Sequence, residues 1–230
     1  PRRGPENPPA TSATGRAVPP WVPPALCPVL GASKPVVPVR SRRGDPTGHY
    51  RGMPELPEVQ GLADAIGEQF TGHWVARAEL GSLSALKTYD PPLAALADAT
   101  LLGTGRRGKF LVLDFADSAG EPFHVVVHLS RAGWIHWRTS ERLAPLRPGK
   151  GPVALRLTWR DDSGSTSVLD VTEAGTQKRL AIHLVRDLGE VPGLGKLGPD
   201  ALAVNRADLA AILQAQGKRQ LKTVLREQSV

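Results

Sequence analysis

From residue 53 onward the apolar positions fall into regular periods, and before it they do not. Val59, Leu62, Ala63, Ile66 and Phe70 share one face of a 3.6-residue period. This predicts a helix from about Glu55 to Phe70, ended near Gly72. Strand-like runs follow at Trp74–Leu80, Lys109–Phe115, Phe123–Leu129, Trp134–Arg138, Val153–Trp159, Ser167–Thr172 and Arg179–Val185. Several alternate apolar and polar residues, as Val153 to Trp159 does, and Asp161–Ser165 reads as a hairpin turn. Residues 91–98 are expected to form a short helix between strands. After Leu188 the character changes, and residues 208–214 and 220–227 are helical in composition. The expected fold is mixed α+β and mostly β: an N-terminal helix, a two-sheet β-sandwich, then the start of a helical module.

Composition changes this picture at the N-terminus. Residues 1–52 are rich in Pro, Gly and Arg, and Pro19-Pro20-Trp21-Val22-Pro23-Pro24 blocks both helix and ladder hydrogen bonding. A disordered extension is expected there. Met53 is the sole methionine of the sequence. The extension therefore reads as upstream sequence before a start at Met53, or else as a basic tether for DNA. The formal net charge of +7 is concentrated in it: eight Lys/Arg face only Glu6 and Asp45. The remainder is nearly neutral, so overall basicity does not argue for nucleic acid, and only local clustering can. Cys27 is the single cysteine, which excludes a disulfide framework or a cysteine zinc site built within this chain. No apolar run approaches a membrane span and no signal-peptide pattern opens the chain. A soluble protein of a reducing, cytoplasmic compartment is expected.

Four short segments carry the chemistry. Met53-Pro54-Glu55-Leu56-Pro57-Glu58-Val59 comes first. Gly105-Arg106-Arg107-Gly108-Lys109-Phe110 and His128-Leu129-Ser130-Arg131-Ala132-Gly133 follow. Leu197-Gly198-Pro199-Asp200, with Leu221-Lys222-Thr223-Val224-Leu225, comes last. In this order they resemble the formamidopyrimidine-DNA glycosylase and endonuclease VIII family, across nearly all of residues 53–230. The resemblance divides the chain into an extension (1–52), a catalytic β-sandwich domain (53–187) and an incomplete helix-two-turn-helix DNA-binding module (188–230).

The resemblance implies excision of oxidised bases from double-stranded DNA with cleavage of the abasic strand, by a monomer. The N-terminal amine of Pro54 would attack the sugar C1′ and form an imine, which serves as the electron sink for strand cleavage. A terminal proline amine titrates near the α-amino range of about 8, so part of it is free base at neutral pH. Glu55 would be the acid/base, Glu58 would help organise the same pocket, and Lys109 would be a proton donor and phosphate contact. Arg106, Arg107, His128, Arg131, Arg179 and Lys222 would contact DNA. Glu55 and Glu58 also suit a plain helix N-terminus, where acidic side chains complement the helix dipole. With residues 1–52 attached, the Pro54 nitrogen is a tertiary amide and the imine chemistry is blocked.

The sequence departs from the family in the loop at Ser130-Arg131, where the best-known members carry a methionine that fills the gap left by the flipped base. Arg131 would take that place, Leu180 would act as a wedge and Arg179 would face the orphaned base. The lesion class, oxidised purine or oxidised pyrimidine, is left open. No cofactor is expected within this chain; a structural zinc is expected in a further C-terminal part. Among the remaining candidates, His124, His128 and His183 have no carboxylate or cysteine spaced to make a metal site and read as structural. Trp134, Trp137 and Trp159 read as core or sheet-face residues. The alternative from another class is a catalytically inactive, lesion-sensing DNA-binding protein on the same scaffold.

Overall fold

The structure, a computed structural model, describes residues 54–139, 144–161, 164–174, 176–227 and 229. The expected N-terminal extension and Met53 lie outside the described residues. Helix α1 (Leu56–Phe70) buries Val59, Leu62, Ala63, Ile66 and Phe70, the face its spacing predicts. Its N-terminus is closed by the Glu55 backbone N–H, which donates to Glu58 Oε2 at 3.1 Å.

Eight strands follow: β1 (Trp74–Leu80), β2 (Thr100–Arg107), β3 (Phe110–Ala116), β4 (Pro122–His128), β5 (Gly133–Thr139), β6 (Val153–Arg160), β7 (Thr166–Glu173) and β8 (Ala181–Val185). All the pairings are antiparallel and run in the order β5-β7-β6-β1-β2-β3-β4-β8. The mostly-β, mixed class is thus as expected. The strands, however, are hydrogen-bonded as one sheet rather than two.

That sheet is not flat. Between β1 and β2 a single pair, Trp74 opposite Thr100, is in register. Trp159 of β6 and Phe115 of β3 are three strands apart, roughly 14 Å in a flat sheet at the usual strand spacing. Their rings nevertheless stack with centroids 5.9 Å apart, and Phe70 of α1 stacks on Trp159 at 4.9 Å. The sheet must curl at the β1/β2 junction to allow this. One core then holds Leu155, Leu157 and Leu169 from one half with Leu111, Val125 and Ile182 from the other. Trp134 and Trp137 pack half-buried against it, so all three tryptophans serve the sheet as expected.

Helix α1 lies against β2 and β3. Thr104 Oγ1 donates to Ala63 O at 2.6 Å, and a Cβ on Gly67 would sit 2.5 Å from that hydroxyl oxygen. Glycine there lets the helix approach the strand closely. A smaller cluster covers the outer face of β3, β4 and β8: Val191 and Leu194 pack on Val112, Val126 and Val185. Residues 93–96 form one turn of 3₁₀ helix where a short helix was expected. Two helices complete the described chain, α2 (Arg206–Ala215) and α3 (Leu221–Val224), the second shorter than its composition suggests. Helix α2 has no buried residue and α3 buries Val224 alone.

Candidate active site and nucleic-acid interface

The expected site residues gather at one end of the sheet because of its register. Arg107 on β2 pairs with Phe110 on β3, Phe110 with His128 on β4, and His128 with Ala181 on β8. These four residues therefore form one rung across four strands. Three loops leave the sheet at this rung: the β2–β3 turn with Gly108 and Lys109, the loop after His128, and the loop before Ala181.

Lys109 reaches across to α1, where its ammonium forms an ion pair with Glu55. The Lys109 side chain is 20% exposed and that of Glu55 58% exposed. Glu55 directly follows Pro54, which is buried. The two motifs that sequence separates by 54 positions are therefore in contact. Glu58 is half-buried and accepts the Glu55 N–H, so its carboxylate closes the helix that carries Glu55.

The His128 ring lies against Phe110, with centroids 4.8 Å apart. Burial, and then the ammonium of Lys109, hold its imidazole below the usual histidine range. Leu129 beyond it is buried, and Ser130 adopts a left-handed backbone with φ of 57°. Gly133 N donates to Leu129 O at 2.9 Å, and a Cβ on Gly133 would lie 2.2 Å from that same oxygen. The loop is thus closed on itself, with Arg131 exposed on it.

On the third loop, Lys178 and Arg179 are exposed. The backbone of Arg179 and Leu180 is anchored by buried Glu173, whose Oε1 accepts from Arg179 N at 2.6 Å and Leu180 N at 2.8 Å. Leu180 is 1% exposed, so it is a core residue rather than a wedge. This anchor has no local signal in the sequence.

Arg106 is a second correction. Strand alternation turns it to the face opposite Arg107. Its Nη1 and Nη2 donate to Asp200 Oδ2 and Oδ1 at 2.6 and 3.0 Å, and its side chain is 4% exposed. The guanidinium joins β2 to the segment leading into α2 and does not face solvent as a phosphate contact would. The bond to Arg106 holds the Asp200 carboxyl below its ordinary range. Lys222 is exposed on α3. His124, read as structural, has its Nδ1 2.6 Å from Oδ1 of Asp114, its partner across β3 and β4.

Comparison with known proteins bears on the family and the fold. Residues 53–184 match the formamidopyrimidine-DNA glycosylase N-terminal domain. The formamidopyrimidine-DNA glycosylase of Moorella thermoacetica is 32% identical over 180 residues, which cover 76% of this chain and 61% of that protein. That of Mycolicibacterium vanbaalenii is 38% identical over 92 residues, 35% of this chain and 31% of that protein. The chain thus spans between about a third and three fifths of the length of these relatives. Among solved structures, the Lactococcus lactis formamidopyrimidine-DNA glycosylase non-covalently bound to DNA containing an abasic site superposes with a TM-score of 0.59. It is 21% identical, and the match covers 76% of this chain and 63% of that one. The enzyme of Thermus thermophilus gives 0.55 at 24% identity, over 76% and 58% of the two chains, which supports the fold. The chain belongs to the formamidopyrimidine-DNA glycosylase family.

Proposed function

We propose that this chain carries the catalytic domain of a base-excision-repair DNA glycosylase with associated lyase activity. It would remove oxidised bases from duplex DNA through the N-terminal amine of Pro54. The observation that carries this reading is the ion pair of Lys109 with Glu55, beside Pro54, at the sheet end that also presents Arg107, His128, Arg131 and Arg179.

The steps follow from the residues. The Pro54 nitrogen lone pair attacks C1′ of the damaged nucleotide, the C1′–base bond breaks, and the base leaves with the bonding electrons and a proton. Opening of the sugar ring gives an iminium between Pro54 and C1′, with O4′ taking a proton; Glu55 and Lys109 are the groups at hand to deliver and take up these protons. The iminium acidifies the C2′–H bond. Loss of that proton drives elimination of the 3′ phosphate, and water then hydrolyses the imine to free Pro54. A flipped nucleotide leaves a hole in the base stack, and the closed loop displaying Arg131 is placed to fill it with a planar cation. The exposed cations around it are suited to backbone phosphates.

One observation favours a second reading, a lesion-sensing protein without catalysis. While Met53 is attached, the Pro54 nitrogen is an amide and has no lone pair for attack. The test is borohydride trapping on duplexes carrying an abasic site or an oxidised base. It compares the full chain with one expressed from Met53, whose methionine is removable because proline follows. We expect a covalent adduct, mapped to Pro54 by mass spectrometry, from the processed chain alone. Tight duplex binding with no adduct from a chain verified to begin at Pro54 would refute the enzyme and leave the sensor.

A further inference from the structure

The cationic rung continues past the residues assigned so far. Beyond β8, the segment Ala85–Thr88 runs alongside the edge of the sheet. Leu86 bridges Ile182 in parallel, Lys87 N donates to Ile182 O at 2.9 Å, and Leu184 N donates to Thr88 Oγ1 at 2.7 Å. Leu86 is buried in the main core, as are Ile182 and Leu184 on β8. Extended backbone alternates faces, so Lys87 and His183 lie together on the outer face. His183 pairs with Val126 of β4, which makes His128 its diagonal neighbour. Lys87, His183, His128, Phe110 and Arg107 therefore follow one another across the outer face, with Lys109 at the adjoining turn. At the usual strand spacing of about 4.8 Å the line is roughly 15–20 Å long.

The environment of this line suits an anion. Lys87 is exposed, and its ammonium donates to Ser84 O. Among the described residues no carboxylate forms an ion pair with it. Two acidic groups near this face are already engaged, Glu55 with Lys109 and Asp114 with His124. His183 is 6% exposed, and its Nδ1 has no hydrogen-bond partner among the described residues. A buried imidazole beside the Lys87 ammonium, with an unsatisfied ring nitrogen, is a costly arrangement unless a further group meets it.

We propose that Lys87, with His128 across the buried His183, holds a backbone phosphodiester of the bound duplex, one subsite beyond the phosphate reached by Lys109. This rests on the reading that the chain binds damaged duplex DNA, and it extends the contact from the sheet end onto its outer face. Burial is the main cause that keeps both imidazoles below the usual histidine range, with the Lys87 ammonium adding to it at His183 and that of Lys109 at His128. Each histidine is thus within electrostatic reach of the lysine beside it.

The experiment is equilibrium binding of the full chain to a fluorescent duplex bearing a non-cleavable abasic analogue, over a range of salt concentrations. Lys87→Gln and Lys87→Arg are compared with the parent chain, and single methylphosphonate linkages are placed one at a time along each strand. We expect Lys87→Gln to weaken binding roughly fivefold to tenfold and to lower the slope of log K against log salt by about 0.9, the value for one phosphate contact. Lys87→Arg retains both. One methylphosphonate position weakens the parent chain and leaves Lys87→Gln unaffected, which separates a backbone contact from a general effect of charge or of free phosphate. An unchanged slope in Lys87→Gln, with the parent chain binding well, overturns this subsite alone. Failure of the parent chain to bind any duplex overturns the DNA-binding reading and this inference with it.

Discussion

On the proposed mechanism the ion pair of Lys109 with Glu55 matters more to chemistry than to folding. The Glu55 side chain is more than half exposed, so water screens the attraction and either charge can be removed cheaply. Lys109→Ala should change stability by less than about 1 kcal/mol, as exposed pairs do. Its effect on the reaction should be far larger, because a positioned proton donor is worth about 10²–10⁴ in rate. We therefore expect the lysine variant, begun at Pro54, to keep its urea midpoint and to lose imine trapping by at least about 10²-fold. Trapping at the parent rate would remove Lys109 from the mechanism. Glu58 differs from Glu55 although it lies one helical turn away. Its carboxylate is held by the Glu55 N–H, so its role is to fix the first turn of α1 on which Pro54 and Glu55 are mounted.

At the scale of elements, strand alternation sorts two adjacent arginines into different roles. Arg107 stays on the outer face beside Phe110, whereas Arg106 turns inward and grips Asp200 with both terminal nitrogens. This is a joint between β2 and the segment that leads to α2. Asp200→Asn would leave a guanidinium that is 4% exposed without its counter-charge, at a cost of about 1.5–3 kcal/mol. Replacing both partners, as in Arg106→Met with Asp200→Leu, should recover much of that loss, since no buried charge is then stranded. Urea denaturation of the two variants checks this; equal or greater loss in the double variant would show that the pair is not what joins these elements. The same pair marks the limit of what was legible in the sequence. Helix α1 was readable because five apolar side chains carry its period, and Pro54-Glu55 and Lys109 because their motifs are local. Strand β2 was missed: Gly103, Gly105 and two arginines break its alternation, and it is a strand because β3 pairs with it. No pattern in one chain segment could show that Lys109 meets Glu55, that Arg106 meets Asp200, or that Glu173 anchors the loop of Arg179. Each depends on register between distant strands. Leu180 was misread because its neighbours are exposed cations, while the backbone bond to Glu173 turns its own side chain into the core.

For the whole molecule, the outer face of β4 and β8 ties two buried imidazoles to stability. His128 and His183 both titrate below the usual histidine range, each chiefly because burial disfavours the imidazolium and then because a lysine stands beside it. In the unfolded chain both regain an ordinary value near 6.5. Their contribution is therefore fully present above that value. As pH falls through it, the unfolded state takes up protons that the folded state refuses, and stability drops by up to about 1.4 kcal/mol per pH unit for each imidazole. The carboxylates act in a separate window. Asp200, bonded to Arg106, and Asp170, where bonds to Arg156 and Arg138 outweigh burial, are held below the ordinary carboxylate range. Their stabilisation is complete above about pH 4 and is lost only below it. Decline between about pH 6.5 and 5 thus belongs to the imidazoles. Urea midpoints measured at pH 7.5, 6.0 and 5.0 should fall steadily in the parent chain. His183→Leu with His128→Gln should flatten that decline, because neither replacement binds a proton and the His183 Nδ1 has no partner to lose. An unaltered decline in the double variant would place the acid sensitivity elsewhere in the molecule.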